Sequence, residues 1–226
     1  MAVTFSPMAR RLGISSAVIV AGLLVAYATT LTAGLLSLTS PEEQIGDPFF
    51  TLLEILIISM MPAMVALMVA VHAWAPDRCR AFSLTSVVFM GMVAGVTCSL
   101  HFVILTLSRR AEFAALASLP LMLSFRWPSV AYALDILAWD VFFAVSMLFA
   151  AAVFSGSRLA ASVRALMIAS GLLALAGLSG VVAGDMGLRN IGIVGYVGVF
   201  LAVVVLLAVL FYRGSPDGQT AGERAE

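Results

Sequence analysis

The sequence predicts an all-α fold, a polytopic membrane helical bundle with six transmembrane helices. Three observations carry this. Of the 226 residues, 62% are hydrophobic and only 11% charged, with a mean hydropathy of +1.12. A soluble chain of this length needs a larger polar shell. Apolar runs long enough to cross about 30 Å of hydrocarbon recur six times, near 13–38, 49–75, 83–107, 129–155, 159–184 and 190–212. Polar or turn-forming breakers separate them: "SPEEQIGDP", "APDRCR", "SRRAEF", "FSGSR" and "GDMGLRN".

The first run follows Arg10 and Arg11 and contains "AYA" at 26–28, as a secretory signal would. A signal's apolar core spans roughly 7–15 residues, and this run continues to about Leu38, which predicts a retained helix. The second run carries Pro62, expected to kink it and free a carbonyl. Its Met60, Met61, Met64 and Met68 read as packing rather than a metal-ion path. Residues 112–129 are broken by Pro120 and are too interrupted for another span. They form either an interfacial segment over the outer mouth or a plain connection. In the last two runs, Gly180, Gly184, Gly192, Gly195 and Gly198 predict a tight helix hairpin, because small residues let backbones approach. The organisation is thus a cytoplasmic N-terminus (1–12), one membrane domain (13–213) and a disordered polar tail (214–226).

The 12 basic residues are all arginine and are balanced by 12 acidic ones. No basic patch points to nucleic acid. With the N-terminus inside, the inner segments hold Arg10, Arg11, Arg78, Arg80, Arg158, Arg164, Arg213 and Arg224. The outer ones hold Arg109, Arg110, Arg126 and Arg189. The positive-inside rule then places both termini in the cytoplasm of a cell inner (plasma) membrane. Cys79 and Cys98 lie about 28 Å apart along helical rise, beyond disulfide reach, so both are expected as free thiols.

Charges inside a bilayer cost several kcal/mol, roughly 2.5–3.5 on insertion scales, so those inside these runs need a reason. Counted from the outer ends, Glu54 lies about 8 Å deep, His101 and Asp135 about 9 Å, and Asp140 about 16 Å. A shared depth predicts one outer-half pocket for Glu54, His101 and Asp135, the candidate catalytic set. Five residues on an α-helix turn about 140°, so Asp140 is expected to leave the face of Asp135 for a neighbouring helix or the pocket floor. Tyr132 and Trp139, at i−3 and i+4 from Asp135, share its face and should form the wall. Trp127 belongs at the rim. Tyr132, Trp139, Asp140 and Trp127 are thus the candidate substrate-binding residues. Asp185 and Arg189 bracket the outer turn between the last two spans and read as a structural ion pair or turn. His72, near Trp74 at the opposite end, reads as an interfacial histidine.

The pattern "DPFFTLLEILI…MVAVHAWAP…SLHFVIL…FRWPSVAYALDILAWDVFFAVSMLFAA…GDMGLRNIGIVGYV" resembles small uncharacterised multi-helix bacterial integral membrane proteins, which implies a fold and no activity. In size, helical character and intramembrane acidic residues the chain is also similar, by loose analogy, to the small membrane-bound terpene cyclases. A carboxyl or imidazole in an apolar pocket can exchange protons with a lipophilic small molecule, an enzyme's acid–base chemistry. The alternatives are a proton-linked small-molecule transporter and an accessory membrane protein whose cluster only joins helices. No cofactor is called for, although Glu54, His101 and Asp135 would be an acceptable divalent-metal set. The expected surroundings are the lipid bilayer; the oligomeric state is open.

Overall fold

The computed structural model describes residues 5–40, 43 and 45–214. All regular structure there is helical. The six long helices are α1 (Pro7–Leu36), α2 (Phe49–Trp74), α3 (Arg80–Leu107), α4 (Val130–Ala151), α5 (Arg158–Ala183) and α6 (Asn190–Arg213). Each is long and apolar enough to cross a membrane, so the protein is a six-span membrane bundle. The bounds fall within a few residues of the apolar runs, except at the start of α1, which begins at Pro7, and at the end of α4. Ser6 sets that start: its side chain accepts from the Ala9 N–H at 3.1 Å, and Pro7 occupies the first turn, where no N–H is needed. The tail beyond Gly214 lies outside the described residues.

The helices pack in sequence order as a closed ring, α1 on α2, α2 on α3, and so on, with α6 returning to α1. The seam between the first and last helices is held by a clasp. Arg10 donates from Nε to the Phe211 carbonyl at 2.9 Å and from its guanidinium to the Tyr212 carbonyl. These are carbonyls at the end of α6 that the helix itself leaves unpaired. Phe5 packs edge-on to Trp74 and stacks on Phe211, with centroids 4.9 and 5.5 Å apart. The start of α1 and the ends of α2 and α6 therefore meet at one end of the bundle.

The ring interior is filled by Met60, Met61, Met64, Met68, Met90, Met147, Phe143 and Phe200, each at most 2% exposed. The methionines of α2 are thus packing residues in the core. Outside the ring, Val18, Ile55, Val88, Phe102, Leu172 and Val205 are exposed. An apolar rim around an apolar core is the pattern of a lipid-facing surface.

Two helices depart from α geometry. α4 winds as a π-helix over Leu137–Phe143, and α6 does so over Val194–Val199. α2 runs through Pro62 without a break in its assignment. The carbonyl that Pro62 cannot satisfy belongs to Ile58, four residues back, and the Cys98 thiol of α3 approaches that oxygen at 3.9 Å. Cys79 and Cys98 are free.

The expected α5–α6 hairpin forms, through a partly different set of glycines. A Cβ on Gly195 would come within 2.8 Å of the Ser170 carbonyl, and one on Gly177 within 3.1 Å of the Gly192 Cα. Gly180 abuts the following turn instead, where a Cβ would lie 2.9 Å from the Arg189 nitrogen. Gly184 does not face α6 at all. It ends α5 in the left-handed conformation, at φ +69°, which glycine adopts without steric cost. Gly198 faces open space.

Candidate functional site

At the end of the bundle opposite the Arg10 clasp, three helices and one turn contribute one chain of charged groups. Glu54 comes from α2, His101 from α3, Asp135 and Asp140 from α4, and Arg189 from the turn leading into α6. His101 Nδ1 and Glu54 Oε2 are 2.7 Å apart. His101 Nε2 stands 3.8 Å from Asp135 Oδ1, too far for a direct hydrogen bond. Arg189 donates from Nη2 to Asp135 Oδ2 at 2.7 Å and from Nε to Asp140 Oδ2 at 3.2 Å. The side chains of Glu54, His101 and Arg189 are each 5% exposed, that of Asp135 13% and that of Asp140 0%. Glu54, His101 and Asp135, grouped by depth in the sequence, lie together.

Arg189 belongs to this chain and not to Asp185. The Asp185 carboxylate accepts from the Gly187 N–H at 2.8 Å, closing its own turn. Arg189 reaches across to α4, where one planar guanidinium engages two carboxylates. Asp140, within the π-helical stretch Leu137–Phe143, turns to the neighbouring helices as expected, and the long Arg189 side chain still reaches both carboxylates. Asp140 sits where α5 and α6 approach most closely, and a Cβ on Gly192 would lie 2.7 Å from its Oδ1.

Trp139 departs from its expected place. It is 4% exposed and packs on Tyr196 and Phe143 at 5.2 and 5.8 Å between centroids. It is a core residue, not the pocket wall that α-helical spacing predicts. Tyr132, upstream of the π turn, keeps its expected place: the Arg189 guanidinium lies over its ring at 4.5 Å.

Over the cluster opens a cleft of about 490 Å³, lined by Phe125, Arg126, Trp127, Tyr132 and the 184–186 turn. Its floor is aromatic. Phe125 stacks on the His101 ring at 5.1 Å, and Tyr132 covers Arg189. Phe125 comes from the connection between α3 and α4, which forms only two single helical turns, Ala111–Ala114 and Leu119–Met122. With Leu123 it packs against Leu100, Ile104 and Ala131. The connection thus packs over this end of the bundle as two short turns rather than one continuous helix. Trp127 stands at the rim, 39% exposed, as expected.

His72 is remote from all this. It is half-buried near the end of α2, and its Nδ1 lies 2.8 Å from the Ser83 hydroxyl.

Among the described residues three buried side-chain polar atoms lack a hydrogen-bond partner: Thr97 Oγ1, His101 Nε2 and Asp140 Oδ1. Two of the three belong to the cluster. Buried polar groups are nearly always paired, and these two atoms have no partner among the protein's own groups. Among the described residues no group of three or more His, Cys, Asp and Glu side chains is arranged to hold a metal ion. The donor set explains this: Glu54 occupies Nδ1 of the imidazole, and Arg189 binds both aspartates.

The sequence matches no protein-family model, no curated protein and no solved structure.

Proposed function

We propose that the protein is a membrane enzyme that performs acid–base chemistry on a lipophilic substrate, with His101 as the group that gives or takes the proton. One observation carries this reading. The imidazole is fixed by Glu54 at Nδ1 while its Nε2 has no hydrogen-bond partner, beneath a cleft whose floor is Phe125 and Tyr132. A carboxylate at one ring nitrogen orients the imidazole and leaves the other nitrogen for transfer. Asp135, 3.8 Å from Nε2, stabilises the imidazolium that forms, and Arg189 holds Asp135 in place. The cluster's place in the bundle favours an enzyme over a transporter. Among the described residues every buried Asp, Glu, His and Arg lies in this one cluster, and the ring interior beyond it is built largely of methionine, phenylalanine and valine. A transport path needs polar groups toward the opposite face as well. The arginine distribution supports a plasma-membrane protein with both termini cytoplasmic and the cleft on the outer side.

The test uses the protein in nanodiscs supplied with a bacterial total lipid extract, followed by mass spectrometry of the lipids. Wild type should convert at least one species that His101→Gln leaves untouched. Identical lipid profiles for the two would overturn the reading.

A further inference from the structure

We propose that the outer cleft binds an organic ammonium group, carried either by the headgroup of a membrane amphiphile or by a free amine. As a statement about substrate class this rests on the acid–base reading of the cluster; as a statement about binding it is tested without it.

Two independent features point to this chemistry. The first is the wall. Phe125, Trp127 and Tyr132 line the cleft, and the Trp127 and Tyr132 rings meet at 62° with centroids 6.5 Å apart, forming a corner. Aromatic faces attract cations within about 6 Å, and a corner of such rings is the usual cage for an alkylammonium group. One face of Tyr132 already holds the Arg189 guanidinium, so Trp127 and the outer face of Phe125 supply the remaining surface.

The second is charge. At and below the cleft stand four carboxylates, Glu54, Asp135, Asp140 and Asp185. Against them stand Arg189, Arg126 and, when protonated, His101, so four negative groups face at most three positive ones. With all four carboxylates ionised, the balance is negative even when the imidazole is charged. Asp185 uses one carboxylate oxygen on the Gly187 N–H, which leaves the other for a ligand. Arg126 has an interaction of its own. An anion entering here meets net repulsion, and a neutral group gains nothing from the field. A small inorganic cation needs several oxygen ligands, whereas the lining residues offer one carboxylate, Asp185, beside three aromatic rings. An alkylammonium group suits both the wall and the charge.

The experiment measures thermal stability and tryptophan fluorescence of the full chain in phosphatidylglycerol nanodiscs, which contain no amine. Choline chloride is titrated against potassium chloride at equal ionic strength, and inorganic phosphate serves as the anion control. A second set of nanodiscs contains phosphatidylethanolamine. Saturable stabilisation by choline beyond the salt control is expected, with an apparent Kd about tenfold weaker in Trp127→Ala and in Asp185→Asn. The asparagine keeps the turn's acceptor, so that variant should fold. Saturation by free choline assigns a soluble amine; protection by phosphatidylethanolamine alone assigns a lipid headgroup. No effect of either, binding of phosphate instead, or full binding in both variants would overturn the proposal. His101→Gln should retain choline binding while losing lipid conversion. Loss of conversion without loss of binding therefore separates the two readings.

Discussion

Arg189 bridges Asp135 and Asp140, at 2.7 Å from Nη2 and 3.2 Å from Nε, although 54 and 49 residues separate it from them in sequence. Both carboxylates are carried on one helix and both are largely buried, so the guanidinium is their shared counterion. Removing one member of a buried ion network leaves the others uncompensated, which typically costs about 3–5 kcal/mol. Arg189→Met should therefore destabilise strongly, read as a lowered midpoint of unfolding in mixed micelles. Arg189→Lys should fall between, because a single ammonium cannot reproduce the two-pronged contact. A methionine variant as stable as wild type would show that the carboxylates do not depend on this cation.

The closest approach of α5 and α6 can be tested at single glycines. A Cβ on Gly192 would meet Asp140 Oδ1 at 2.7 Å, whereas Gly198, on the same helix, faces open space. Overfilling a packed site costs about 1–3 kcal/mol. Gly192→Ala should lose that much, and Gly198→Ala should change little. Equal stability of the two variants in thermal melts would contradict the packing described.

The fold was legible because span length and hydropathy are read from consecutive apolar residues, with no tertiary contact needed. The depth of Glu54, His101 and Asp135 was legible too, since helical rise converts position into height. Rotation about the helix axis was not. α-helical spacing puts Asp140 against a neighbouring helix, where it lies, but it also puts Trp139 in the pocket wall, whereas that ring packs in the core on Tyr196 and Phe143. Within an apolar run, hydrophobic pattern does not say which side chains meet the core. Arg189 was assigned to its sequence neighbour Asp185, because proximity in a short turn is an easy inference. Charge offered a better one: two aspartates and a glutamate grouped with a single histidine require another cation, and Arg189 was within one long side chain of that depth. Phe125 left no signal, because the direction of a ring in an irregular connection follows from tertiary contacts.

The orientation proposed from the arginines has its own test. The Arg10 clasp puts the start of α1 and the end of α6 at one end, and the α1–α2 loop lies at the other. Single cysteines at Gly46 and Gly214, in a chain with Cys79 and Cys98 replaced by serine and alanine, should react from opposite sides. An impermeant maleimide should label Gly46→Cys in intact cells and Gly214→Cys only in inverted vesicles. The reverse pattern would place the cleft on the cytoplasmic side; labelling of both from one side would contradict the bundle itself.

The proposed chemistry is tested most directly at the two carboxylates flanking His101. Glu54→Gln and Asp135→Asn keep shape and most hydrogen bonding and remove a titratable charge. Glu54 accepts from or donates to Nδ1 at 2.7 Å, and a glutamine amide can still occupy that place. Asparagine at 135 can still accept from Arg189, and Asp140 remains as a full counterion, so both variants should fold. If His101 handles a proton, Glu54→Gln removes the charge that supports the imidazolium, and Asp135→Asn removes the one facing Nε2. Loss of a well-placed acid–base group typically costs 10²–10⁴ in rate, and each variant should lose lipid conversion by about that factor. If the cluster only joined helices, both should convert lipid at the wild-type rate, and stability could even rise with one fewer charge to bury. Full conversion in both variants, with the protein folded, would leave His101 without the partners that the mechanism requires.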